Sequence, residues 1–221
     1  MKTGTTDKTV EEAVRRELQW DPKVNADHLG VSAKDGAIVL MGCVSSNAER
    51  LAAVRAAERV YGVRTVADET TVELPEPNVI GDEEIAETIA RQLHWNTVVP
   101  DTVKADVRKG FVTLRGTVEW SYQREAAERP ANHVRGVYLV TNLITVEPRD
   151  ELAPEDLEQQ VYEAIGRMAD LDARSIGVTA TDGTVHLQGS VHSLADRRIA
   201  EHAAASAPGV REVKNDIAVT P

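Results

Sequence analysis

DGAIVLMGCV at Asp35–Val44, KGFVTLRGTV at Lys109–Val118 and DGTVHLQGSV at Asp182–Val191 are three copies of one pattern. Each has a turn glycine (Gly36, Gly110, Gly183), an alternating strand, and a second glycine (Gly42, Gly116, Gly189) two residues before a valine. Twenty residues beyond the second glycine each copy has a Gly-Val pair: Gly62-Val63, Gly136-Val137 and Gly209-Val210. Copies recurring at about 74 residues are whole domains strung along the chain rather than solenoid turns. Domains that small bury a modest share of their surface, so neighbours are expected to lean on one another.

Working outward from that strand gives the whole unit. Upstream, Val10, Val14 and Leu18 fall at helical spacing, as do Ile85, Ile89 and Leu93 and then Leu157, Val161 and Ile165. Thr9 and Glu12 fit a capping box at the first of these helices. Leu29, Val31 and Ala33 alternate as a first strand, and Lys34-Asp35-Gly36 is a hairpin turn. Downstream, Ser46 and Glu49 form a capping pair, as do Ser193 and Asp196, ahead of alanine-rich helices. Ala53, Ala56, Ala57 and Val60 form the inward face of the first such helix, and small residues there bring it close to a sheet. Gly62 is the expected left-handed stop. A third strand follows, running parallel to the second because a strand–helix–strand crossover is right-handed.

The fold class is therefore α+β: three tandem αββαβ domains at 8–74, 82–147 and 154–220, each with two helices on one face of a three-stranded mixed sheet. Leu74–Gly81 and Glu147–Pro154 are linkers. The open sheet face carries Val39, Met41 and Cys43 in the first copy and Phe111 in the second, and is expected to pack on a neighbouring repeat. Pro130 stands where the other copies have Ala56 and Ala203, and is expected to break or kink its helix.

The net charge is −11, and the third copy is the most acidic. That excludes nucleic acid as the main partner, since phosphate binding needs a basic face. Cys43 is the only cysteine, so no intrachain disulfide forms, which is compatible with a reducing compartment. No apolar stretch of transmembrane length occurs. With Met1 as the native start a cytoplasmic protein is expected; if a leader had been removed, a periplasmic one.

Turn glycine, strand ending Gly-x-Val, alanine-rich helix, Gly-Val pair and a following Val-x-Asp/Asn (Val66-x-Asp68, Val140-x-Asn142, Val213-x-Asn215) together resemble the BON domain, a bacterial module. The resemblance covers nearly the whole chain, three times in register. It implies the same helix–strand–strand–helix–strand fold, and an attachment module of the kind found in stress-induced periplasmic proteins, outer-membrane lipoproteins and secretins, often proposed to bind phospholipid. It brings no catalytic residues and no cofactor.

Chemistry-bearing motifs are scarce. The nine glycines flank strands and helices without GK[ST] or GxGxxG, and so serve turns and close packing. The histidines (His28, His94, His133, His186, His192, His202) read as scattered surface groups rather than a zinc site. Glu11, Glu12, Glu83, Glu84, Glu155 and Asp156 sit in first helical turns, where they favour the helix dipole. Trp20 and Trp95 end the first helices of two copies; such a residue either caps a small core or serves as an anchor with one wet end. Arg50, Arg55, Arg59 and Arg64 form either a basic patch or an ion-paired helix face. The expected function is non-enzymatic, stress-associated binding through repeat surfaces, to a protein partner or by self-association, with weak phospholipid contact. A self-assembling structural adaptor is the alternative, and a small enzyme with an inter-repeat site a third.

Overall fold

The computed structural model describes residues 7–74, 80–148, 153–168 and 175–220. Linker residues 75–79 and 149–152 lie outside them. The first repeat comprises α1 (Asp7–Trp20), β1 (Leu29–Lys34), β2 (Ala37–Val44), α2 (Asn47–Glu58) and β3 (Thr65–Val72). The second comprises α3 (Asp82–Trp95), β4 (Lys104–Arg108), β5 (Phe111–Val118), α4 (Ser121–Ala131) and β6 (Leu139–Val146). The third comprises α5 (Pro154–Gly166), β7 (Ile176–Thr181), β8 (Thr184–Val191), α6 (Leu194–Ala205) and β9 (Glu212–Val219). Each repeat has one three-stranded sheet with its second strand central, antiparallel to the first and parallel to the third.

The repeated residues have local causes. Asp35 and Gly36 both have positive φ (49° and 77°), as do Lys109-Gly110 and Asp182-Gly183; this is the type I′ turn whose twist suits a two-residue hairpin. The Gly36, Gly110 and Gly183 carbonyls accept the N–H of Arg64, Tyr138 and Arg211, tying each hairpin to its third strand. At Gly42, Gly116 and Gly189 a methyl group would run into the carbonyl of His28, Thr102 or Ser175, so only glycine admits the antiparallel neighbour there. The Asp/Asn three residues into each third strand accepts the N–H two residues on (Thr70, Ile144, Ile217). Asn142 and Asn215 also donate to the second helix, at the carbonyls of Arg124 and Arg197.

Each core lies between helices and sheet. In the first repeat Val10, Val14 and Leu18 meet Ile38, Leu40, Ala53, Ala56 and Ala57. Ser46 and Ser193 cap α2 and α6 as read from the sequence. Thr9 is not a cap: α1 begins at Asp7, which places Thr9 inside the helix. Glu49 folds back into the loops before α2, taking the N–H of Asn25 and the N–H and hydroxyl of Ser45 at 2.6–2.8 Å. Burial pushes its carboxyl up, but those hydrogen bonds and nearby His28 outweigh that and hold its pKa below the usual 4.5. In the second repeat Gln123 does the equivalent work for Glu119 and Trp120 without a charge.

Two expectations are not met within this chain. α4 runs through Pro130 to Ala131 rather than breaking there. Proline removes the N–H that would bond the carbonyl of Ala126, four residues back. Asn96, at the end of α3, donates its side-chain amide to that carbonyl at 3.1 Å. Pro130 also lies within the last turn, where little helix remains to be disrupted.

Nor, among the described residues, is a sheet face the main meeting surface of the repeats. Met41 and Phe111 are exposed, while Val39 and Cys43 are half-buried. Among the described residues the hydrogen-bonded and ionic contacts between repeats join the second helices. Asn47, first in α2, donates to Asn132 at the end of α4 (2.7 Å). Glu125 in α4 meets His202 near the end of α6 (3.0 Å). Arg198 in α6 meets Glu58, last in α2, while Leu194 packs on the first repeat's core and Tyr61 lies beside His192. Each second helix thus offers its N-terminal half to the C-terminal end of another, a head-to-tail contact that closes after three copies.

The Asn96 bond predicts that Asn96→Ala costs about 1 kcal/mol in the native chain. It should cost less in a Pro130→Ala background, where a backbone N–H returns to serve Ala126; urea titration of the four proteins gives the coupling. Glu49→Gln should destabilise the chain by about 1–3 kcal/mol at neutral pH, by turning an amide donor toward a donor. Because its folded pKa is depressed, Glu49 contributes stability above its ordinary pKa and loses it as pH falls through the lowered value. The two proteins should therefore converge in acid, as read by thermal unfolding at stepped pH.

Candidate functional site

The arginines read from the sequence do not share one face. Arg59 leaves α2 toward α1, where it pairs with Glu17 (2.8 Å) and Asp21 (2.9 Å). Burial raises the Asp21 pKa, but the Lys23 N–H and Arg59 more than offset this, leaving it below the usual range. Arg50 turns toward β3 and Asp68, 3.7 Å away. The stem of Arg64 lies against the Gly36 turn. Arg55 is exposed and has no ion pair among the described residues. The ion-paired reading of this helix face is the one that applies to Arg50 and Arg59.

The tryptophans do not cap the cores. Trp20 is 86% exposed and Trp95 is 76% exposed, each as the last residue of its helix. Leu18 and Leu93 already fill the inward position nearest the helix end, so the following residues turn outward.

Trp95 lines a groove of ≈ 980 Å³ between α3 and α4, to which the third repeat contributes His202. Tyr122 and Ala126 lie on the α4 side with Arg129, Pro130 and His133; Arg91, Gln92 and Asn96 come from α3 and its end. The His133 ring bonds the Arg129 carbonyl (2.8 Å) and Glu125 is held by His202; Arg91 and Arg129 are exposed and have no ion pair among the described residues. The Gln92 side-chain oxygen is buried with no hydrogen-bond partner.

A comparison of repeats shows how the groove arises. Gln92 occupies the place of Glu17, Asn96 that of Asp21 and His133 that of Arg59. In the first repeat two carboxylates close over an arginine; in the second both are amides and Asn96 is tied to Ala126. The sequence reading missed this groove. Its signal was present in the aligned repeats as two carboxylate-to-amide replacements beside a proline, none of which forms a motif.

A second hollow of ≈ 770 Å³ beside Pro22–Asn25 and Gly42–Ser45 includes Glu49, Cys43 and Glu73. Glu49 is engaged in the loop cap there, and the Cys43 thiol donates to Glu73 at 3.1 Å. That bond, with some desolvation, pushes the thiol pKa up, away from the reactive thiolate. Among the described residues no cluster of three or more metal-ligating side chains occurs, and no helix is long and apolar enough to cross a membrane.

The comparisons with known proteins agree with the repeat pattern. The family model of the BON domain matches at residues 6–73, 81–148 and 154–221. Osmotically-inducible protein Y of Escherichia coli strain K12 is 29% identical over 141 residues, covering 62% of this chain and 70% of that one. CdsD, a structural protein of the type III secretion system of Chlamydia trachomatis, aligns over 95% of this chain and 91% of its own at 18% identity. Its C-terminal domain aligns with the same 18% identity, and both have a TM-score of 0.26, too low to carry an argument. Three matches spanning nearly the whole sequence, each on one helix–strand–strand–helix–strand unit, make this chain a three-repeat member of the BON domain family.

Proposed function

We infer that this is a non-enzymatic binding protein that docks a protein partner in the α3–α4 groove of its second repeat. The observation that carries the reading is Trp95, 76% exposed, with Tyr122 across the same groove beside Arg91 and Arg129. Aromatic and arginine side chains are enriched in the energetic centres of protein interfaces. The groove includes His202 of the third repeat, so the inter-repeat site of the enzyme alternative has a counterpart here. Its carboxylate, however, is engaged by that histidine, and no serine or cysteine lines it. The relationship to an osmotically inducible protein supports a role under osmotic stress.

Phospholipid contact is a subordinate part of this reading. Of the four arginines considered for a membrane surface, Arg50 and Arg59 face internal carboxylates, and the chain carries a charge of −11. Self-association is the second reading, favoured by the outer sheet face of the second repeat, where Phe111 (53%) and Leu143 (50%) are exposed on adjacent strands.

Affinity capture from salt-stressed host lysate should retain a protein on the wild type and lose it on Trp95→Ala and Tyr122→Ala. Flotation with anionic vesicles should succeed only at low salt. Vesicle binding that persists at physiological salt, with no Trp95-dependent protein, would contradict the reading. Sedimentation over a range of concentrations decides self-association, which predicts a larger species lost on Phe111→Asp.

A further inference from the structure

We propose that the α3–α4 groove takes an acidic peptide segment, its carboxylates on Arg91 and Arg129 and its apolar side chains between Trp95 and Tyr122. This rests on the protein-docking reading above and specifies the partner's chemistry. The charged lining of the groove is Arg91 and Arg129 against a single carboxylate, Glu125, which His202 already holds at 3.0 Å. This basic lining stands in a chain whose net charge is −11, so the groove is a local reversal of the molecule's field.

The repeats differ at this place. In the first repeat the equivalent of His133 is Arg59, and Glu17 and Asp21 neutralise it from α1 at 2.8 and 2.9 Å. In the second repeat those places are held by Gln92 and Asn96, so α3 brings no carboxylate to the groove lining beside Arg91 and Arg129. Arg129 has its counterpart in Arg55, but only in the second repeat does a tyrosine, Tyr122, stand two turns before it on the same helix and line the groove with it; the first has Ala48 there.

The side-chain oxygen of Gln92, a residue that lines the groove, is buried without a hydrogen-bond partner among the described residues. A buried acceptor of this kind is relieved by an N–H donor. A peptide backbone supplies such donors alongside its acidic side chains, whereas a phosphodiester headgroup supplies acceptors on its phosphate. That favours an acidic peptide over an anionic lipid surface.

The test uses the full chain and a fluorescein-labelled peptide of about a dozen Glu, Asp and Leu residues, with a Gln/Asn/Leu peptide of the same pattern and phosphatidylglycerol vesicles as comparisons. Anisotropy at physiological salt should show the acidic peptide binding and the amide peptide not. Arg129→Glu should weaken binding by roughly tenfold, as expected for reversing an exposed charge. Gln92→Glu, which restores the first repeat's carboxylate, should also weaken it, and Arg55→Glu should leave it unchanged. All these positions except Gln92 are exposed, and unchanged circular dichroism melts confirm that the variants fold. Equal binding of both peptides, lost in Trp95→Ala, would overturn the acidic specificity while leaving protein docking in place. Binding of vesicles alone would overturn both.

Discussion

The alanine face of each second helix is the constraint on which the rest of the structure depends. Ala53, Ala56 and Ala57 are fully buried, as are Ala127 and Ala131 in α4 and Ala200, Ala203 and Ala204 in α6. Opposite them the central strands present large side chains: Ile38 and Leu40, Val112 and Leu114, Val185 and Leu187. Small on the helix and large on the strand bring the two backbones close. A helix that sinks this far leaves its ends and outer half for other contacts. In this chain the contacts go to the second helices of the other repeats, and the three domains interlock head to tail.

That interlocking is largely polar. The Glu125–His202 and Glu58–Arg198 pairs are part-exposed, and such pairs contribute about 0–1 kcal/mol each. The buried Asn47–Asn132 bond and Leu194 fix the register more firmly, because an amide removed from water must find its partner. The same helices that lock the repeats therefore also border the groove, and α6 reaches its rim through His202. Repeat two departs from its neighbours in a linked set of residues. Pro130 frees a carbonyl, Asn96 takes it, and the carboxylate that stood in that place in repeat one is gone.

How much of this was legible in the sequence depends on the range of the interaction. Hairpin turns, the alanine face and the parallel third strand rest on spacings of a few residues repeated three times, and the serine caps on one repeated twice; each reads directly. Pro130 misled because its consequence depends on Asn96, thirty-four residues away in sequence and in contact only after folding. Trp20 and Trp95 misled because residue type pointed inward while position, one turn face beyond Leu18 and Leu93, pointed out. The groove was illegible from any one repeat, since its walls come from two helices and a third domain. Only the difference between repeats, amides for carboxylates, carried its signal.

Amide hydrogen exchange on the full chain tests the interlocked second helices most directly, by comparing the wild type with a Leu194→Asp, Arg198→Glu variant. If α6 braces α2, exchange should quicken at the C-terminal end of α2 around Glu58–Tyr61, while β4 and β5 of the second repeat stay as protected as before. Unchanged protection at Glu58–Tyr61 would mean that the repeats stand independently, with their second helices touching but not supporting one another.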